Sequence, residues 1–179
     1  MLRLSSSAYP PGISMGPLAP GSAAMLPREP LVDDLHHLLL NANVLVSGPP
    51  GSGKSTLVRL YMAKHPTFKV SVVECKFEFY QYAGGVVPSA IALPTVCRAA
   101  GMPPSSTAAE LLNSTDLLVL DDSQVLYGAD SFWEQLLKSY ARGRVLAVAT
   151  IYNPIRAPSP AAFGAKVLDF KCLLSSTCI

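Results

Sequence analysis

The chain has 179 residues, 50% hydrophobic and 15% charged, with a net charge of +2. That length suits one domain with a sizeable core, and the apolar content excludes a disordered or coiled-coil protein. The small charge and the lack of a Lys/Arg-rich run argue against direct nucleic-acid binding. No run reaches the about 18 apolar residues of a transmembrane helix, and no signal-peptide core is present.

Residues 1–27 are dominated by Pro, Gly, Ser and Ala, and are expected to form a disordered leader. A core domain is expected over 28–170, with 171–179 an unassigned tail. Pro30 suits the first turn of a helix reaching about Leu40, with Leu31, Leu35, Leu38 and Leu39 on its apolar side. His36 and His37 in this helix are read as surface residues.

Asn43 to Ser47 is a short apolar run, read as a buried strand. Lys54 to Lys64 reads as a helix with Leu57, Leu60 and Tyr61 on one face, ended by His65-Pro66. Phe68 to Phe79 alternates apolar with polar residues (Phe68, Val70, Val72, Phe77, Phe79), which predicts a second strand, broken by Gly84-Gly85 and Pro88. Residues 89–113 predict two short helices around Gly101-Met-Pro-Pro104, the second capped by Thr107 with Glu110 closing a capping box.

Asp116 to Asp122 is an apolar strand ending in two carboxylates. Ser131 is expected to cap a helix to about Arg142 that buries Phe132, Trp133, Leu136, Leu137 and Tyr140. Arg144 to Tyr152 predicts a fourth strand, Pro154, Pro158 and Pro160 a loop, and Ala165 to Phe170 a short fifth strand. The four cysteines, Cys75, Cys97, Cys172 and Cys178, form no C-x-x-C pair. A zinc site is not expected, and a reducing, intracellular setting without disulfides is. Such a compartment is cytoplasmic or nuclear.

The chemistry lies between the first strand and its helix. Residues 48–55 are Gly48, Pro49, Pro50, Gly51, Ser52, Gly53, Lys54 and Ser55, followed by Thr56. This is the complete pattern G-x-x-x-x-G-K-[ST]. The glycines permit turns that a Cβ forbids, so that backbone N–H groups cradle phosphate oxygens. Lys54 supplies charge for the β- and γ-phosphates, and the Ser55 hydroxyl is a Mg²⁺ ligand.

Strands alternating with helices imply a parallel sheet, in which ligands bind at the carboxyl ends of strands. Asp121 and Asp122 lie at one such end. Asp121 is the expected metal partner opposite Ser55, and Asp122 the group that orients or deprotonates water. Thr150, ending the next strand, is a candidate sensor of the γ-phosphate, with Asn153 second.

The loop, the Leu-Leu-Val-Leu-Asp-Asp strand and the polar end of the following strand together resemble the ATPase core of the AAA and signal-transducing (STAND) P-loop families. The stretches 118–127, Phe132-Trp133 and 145–150 are similar to P-loop ATPase modules of crinkler-like and related eukaryotic proteins. The resemblance implies a three-layer α/β fold with a mostly parallel five-stranded sheet in the order 5-1-4-3-2. It implies Mg²⁺-dependent hydrolysis of ATP by a slow ATPase or nucleotide-dependent switch. Many AAA ATPases place Glu where this chain has Asp122, and STAND switches commonly carry Asp-Asp. These families follow the core with a helical lid; here none is expected after the fifth strand, either because the lid is missing or because the sequence is a fragment.

AAA-type ATPases that use an arginine finger carry it, for a neighbouring subunit, in the loop after this strand; Arg156 is the candidate for that role in a homo-oligomer, the alternative being a solvated loop arginine, and Arg142 and Arg144 lie at the far end of that strand. The expected partners are ATP and ADP, with no direct nucleic acid and no membrane. A non-hydrolysing ATP/ADP-binding regulatory module is the alternative, and a small-molecule kinase a more distant one. No N-K-x-D motif supports a GTPase.

Overall fold

The computed structural model describes residues 28–82, 86–139 and 143–150, and the backbone of Val167–Asp169. The leader, Gly84-Gly85, Tyr140, Arg142, Asn153, Arg156, the proline loop after Thr150, Cys172, Cys178 and the tail lie outside the described residues.

Helix α1 is Glu29–Asn41, β1 Val44–Gly48 and α2 Lys54–Lys64. Strand β2 is Val70–Glu74, followed by the single turn α3, Cys75–Glu78, and a 3-10 turn at Tyr80–Tyr82. Helices α4 and α5 are Ser89–Ala99 and Ala108–Asn113. Strand β3 is Leu117–Asp121, followed by a 3-10 turn at Ser123–Leu126 and α6, Asp130–Leu137. Strand β4 is Arg144–Thr150 and β5 Val167–Asp169.

All pairings are parallel, and the strands lie in the order β2-β3-β4-β1-β5. Successive side chains of a strand face opposite sides. Leu45, Leu118, Leu120, Val145, Ala147 and Ala149 therefore join one core with α4, α5 and α6. Val44, Val46, Leu117, Val119, Leu146 and Val148 join the other, under α1 and α2. Helices on both faces bury the central strands completely, which is why β1 and β3 read as continuous apolar runs.

The expected α/β architecture with a parallel sheet is present, and so is the capping box. The Thr107 hydroxyl accepts from Glu110 N at 3.2 Å, and the Glu110 carboxylate accepts from Thr107 N at 2.7 Å. The bond from Thr107 N, and a second from the Thr107 hydroxyl to the same carboxylate at 3.1 Å, hold the Glu110 carboxyl below its ordinary value.

Four expectations need correction. The strand expected over Phe68–Phe79 stops at Glu74, and Phe77 and Phe79 lie on and beside the turn α3. Within β2 the inward residue is Val73, while Val72 is 42% exposed. β2 borders one strand only, so its outer residues escape the burial that would have fixed the phase of the pattern. Helix α6 starts one residue before Ser131, without a side-chain cap, and ends at Leu137. On α2 the buried positions are Leu57, Val58 and Tyr61, and Leu60 is exposed. Finally, His36 is half-buried and not a free surface residue. Its ring stacks on His65 at 4.2 Å between centroids, and its Nδ1 lies 3.3 Å from the Tyr61 hydroxyl.

Candidate functional site

The sheet order sets β4 between β1, which feeds the glycine-rich loop, and β3, which carries the carboxylates. Gly48 pairs with Thr150 across β1 and β4, and Leu120 with Ala147 across β3 and β4. The carboxyl ends of three neighbouring strands thus converge, and they open into a cavity of about 410 Å³. Pro50, Gly51, Gly53, Lys54, Ser55, Thr56, Asp122 and Thr150 line it, with Lys76 from α3. A smaller cavity, about 230 Å³, lies at the opposite edge between His36, Tyr61, Phe68 and Arg144, and has none of these groups.

The loop turns because two glycines adopt left-handed backbone, Gly51 at φ +73° and Gly53 at φ +87°. Gly53 precedes the first residue of α2 and offers no side-chain cap. The first N–H groups of a helix lack intrahelical acceptors, so they are left as donors for an anion at the positive end of the helix dipole. Lys54 is 6% exposed. Its ammonium donates to the carbonyls of Gly48 at 3.1 Å and Pro49 at 2.9 Å, and approaches Ser52 Oγ at 3.4 Å. Burial lowers its pKa, and the charges of Asp122 and Asp121 oppose that shift.

Across the cavity, Ser55 Oγ donates to Asp121 Oδ2 at 2.9 Å, and Asp122 N donates to Asp121 Oδ1 at 3.0 Å. Asp121 therefore sits behind Ser55, and Asp122 is the carboxylate that lines the cavity. Asp122 is the one non-glycine residue with positive φ among the described residues, at +53°. The Cys75 thiol beside them is buried, and burial together with the two carboxylate charges pushes its pKa up. It is an inert core thiol.

The structure thus brings Lys54, Ser55, Asp121, Asp122 and Thr150 together. Asn153 and Arg156 lie outside the described residues, and Arg144 lines the opposite edge.

Three neighbours of the site escaped the sequence reading. Arg28, at the start of α1, donates from Nη1 to Gly53 O at 2.8 Å and from Nη2 to Ser52 O at 3.5 Å. Lys76 follows β2, in what the sequence presented as mid-strand. Gln124 lies in the turn after β3 and bonds both Asp122 and Thr150. Its only signal in the sequence is a polar side chain two residues past an Asp-Asp strand end.

Among the described residues, no helix is long and apolar enough to cross a membrane. No group of three or more His, Cys, Asp or Glu that could hold a metal ion is found among them.

No protein-family model matches the chain, and no curated protein matches it. Solved structures do. A Walker-type ATPase of Pyrococcus abyssi is 13% identical over 69% of this chain and 45% of its own, with a TM-score of 0.53. A DNA replication initiation factor is 17% identical over 78% of this chain and 44% of its own, with a TM-score of 0.51. AMPPCP-bound DnaA from Aquifex aeolicus is 15% identical over 78% of this chain and 44% of its own, with a TM-score of 0.50. The chain spans less than half the length of each of these proteins. At such identities the likeness is one of fold: the described part of the chain has the fold of a P-loop NTPase.

Proposed function

We propose that the chain binds ATP with Mg²⁺ and hydrolyses its β–γ bond slowly, as an ATPase or nucleotide-dependent switch. One observation carries this reading: a single cavity joins a glycine-rich loop with helical N–H groups, a buried lysine, a serine hydroxyl and the Asp122 carboxylate, with Asp121 bonded to that serine from behind. The proposed phosphate-binding residues are Gly48 to Thr56. Lys54 exchanges the Gly48 and Pro49 carbonyls for the β- and γ-phosphates. Thr150 reads the γ-phosphate from the end of β4.

Ser55 and Asp121 present a hydroxyl and a carboxylate oxygen 2.9 Å apart. Hard oxygen donors of this kind suit Mg²⁺, which takes its remaining ligands from phosphate and water. When bound, the ion would neutralise charge developing on the phosphates. Asp122 is the proposed base or orienter of the attacking water. Its side chain is one methylene shorter than Glu, which fits slow turnover, below the about 1 to 10³ s⁻¹ of typical enzymes.

The AAA or STAND character, the likeness to crinkler-like modules and the limits of the core at 28–170 belong to the same proposal. So does an oligomer in which Arg156 serves a neighbour's site. The AMPPCP held by the DnaA structure is an ATP analogue, and it supports ATP as the ligand. The buried thiols of Cys75 and Cys97 fit a reducing, intracellular setting, cytoplasmic or nuclear.

The test is calorimetric titration with ATP, ADP and GTP, with and without Mg²⁺. Wild type should bind ATP, and Lys54→Ala should lose about 10²- to 10³-fold in affinity while keeping its circular dichroism. That range follows from removing one partner of a desolvated charge pair. Equal affinity in the two proteins would sink the reading.

A further inference from the structure

We propose that Gln124 is a positioning residue for hydrolysis, tying the Asp122 carboxylate to the end of β4 so that one oxygen stays free for water. The proposal rests on the hydrolytic reading above and names a residue that neither the motif nor the fold assigns.

The geometry is a closed ring of three residues. Gln124 Nε2 donates to Asp122 Oδ1 at 3.2 Å. Thr150 N donates to Gln124 Oε1 at 3.0 Å, and Thr150 Oγ1 donates to Asp122 Oδ1 at 3.4 Å. A carboxylate needs a donor and an amide N–H needs an acceptor, so the two partners fix which way the Gln124 amide points. Asp122 Oδ1 is held from two directions. Its other oxygen, Oδ2, has no hydrogen-bond partner among the described residues, on a side chain that lines the cavity.

The backbone supports the same purpose. Left-handed Asp122 turns the chain back, and the next residue, buried Ser123, donates from Oγ to Val148 O at 3.0 Å. The 3-10 turn is thereby pinned to β4 through Ser123 and Gln124. A left-handed non-glycine residue persists only where its surroundings hold it. Here the holding groups are the ones that aim the carboxylate. Gln124 touches neither the loop nor Ser55 in these bonds, so its removal leaves the phosphate cradle as it is.

The experiment measures ATP affinity and steady-state turnover for wild type, Gln124→Ala, Gln124→Glu, Asp122→Asn and the Asp122→Asn/Gln124→Ala double variant, with melting temperatures for each. Gln124→Ala should lower kcat by about 10²-fold, the scale of a 1 Å misplacement, with KM and ATP affinity held within about two-fold. Gln124→Glu keeps an acceptor for Thr150 N but sets a carboxylate against Asp122, so it should be at least as slow. The double variant should be no slower than Asp122→Asn alone, because a group that acts through Asp122 has nothing left to act on.

Wild-type turnover in Gln124→Glu, additive losses in the double variant, or a fall in affinity that matches the fall in kcat would overturn the role. ATP binding by wild type without any turnover would overturn this inference and the hydrolytic half of the reading, and leave ATP binding standing. Failure of wild type to bind ATP would overturn it together with the reading on which it rests.

Discussion

At the carboxyl edge of the sheet the chain leaves β1 and β3 through left-handed residues, Gly51, Gly53 and Asp122. There, buried charge is held by main-chain carbonyls. At the amino edge the same strands begin against stacked rings and side-chain oxygens that accept from main-chain N–H groups. His36 stacks on His65, Asp116 Oδ2 accepts from Lys69 N at 2.9 Å, and Asn43 Oδ1 accepts from Val145 N at 2.9 Å. Substitutions at the two edges should therefore fail in different ways: at one the molecule loses ligand before it loses structure, and at the other the reverse.

Gly143→Ala presses hardest on the amino edge. A Cβ there meets the carbonyl oxygens of Leu112 and Thr115, main-chain atoms that cannot swing aside. Overpacking of this kind costs about 1–3 kcal/mol. A denaturant titration should show that loss, while the surviving folded protein binds ATP with unaltered affinity.

Gly53→Ala is the matching change at the carboxyl edge. A non-glycine residue held in left-handed backbone costs about 1–2 kcal/mol, and the new Cβ occupies the place of the Arg28 guanidinium. The smaller stability loss should come with a large loss of ATP affinity. Unaltered affinity in this variant would mean that the two edges are not functionally distinct.

The third change is smaller still and concerns pH. Burial, then the charges of His36 and Lys64, lower the pKa of His65 below its ordinary 6.5, and Asp33 opposes them. Its Nε2 is buried without a hydrogen-bond partner. The unfolded chain takes up a proton near 6.5 that the folded chain resists. Stability is therefore fully present above that pH and is lost as pH falls through the lowered folded value. Melting temperatures between pH 7.5 and 5 should fall in wild type and fall less in His65→Phe, which keeps a ring in the stack. Parallel curves would place the acid sensitivity elsewhere.

The legible parts of this molecule were those in which one local rule decides the outcome. The loop is written in glycines that only its turns require. Thr107 and Glu110 spell a cap within four residues. Leu118 to Leu120 lie in a strand covered on both faces, so any phase of the pattern gives the same answer. β2 went wrong because it lies at the edge of the sheet, where neither face is fully covered and apolar spacing loses its meaning. His36 looked like a surface residue because its partner, His65, lies on another helix end. Gln124 and Arg28 were invisible for a related reason. Each acts on a segment that only the folded chain brings near, Gln124 on the end of β4 and Arg28 on the loop.

The turn that carries Asp122 also limits what can replace it. At φ 53° and ψ 38°, short residues whose side chains bond locally, Asp and Asn, are tolerated far better than longer ones. A glutamate would carry the acid farther into the cavity, but from a backbone it disfavours. Relaxing that backbone would draw Ser123 away from Val148 and Gln124 away from Thr150. Reach and anchorage are thus inherited as one unit. A descendant of this sequence that lengthens its acid must rebuild the turn in the same step, and one that keeps the turn keeps the short acid with it.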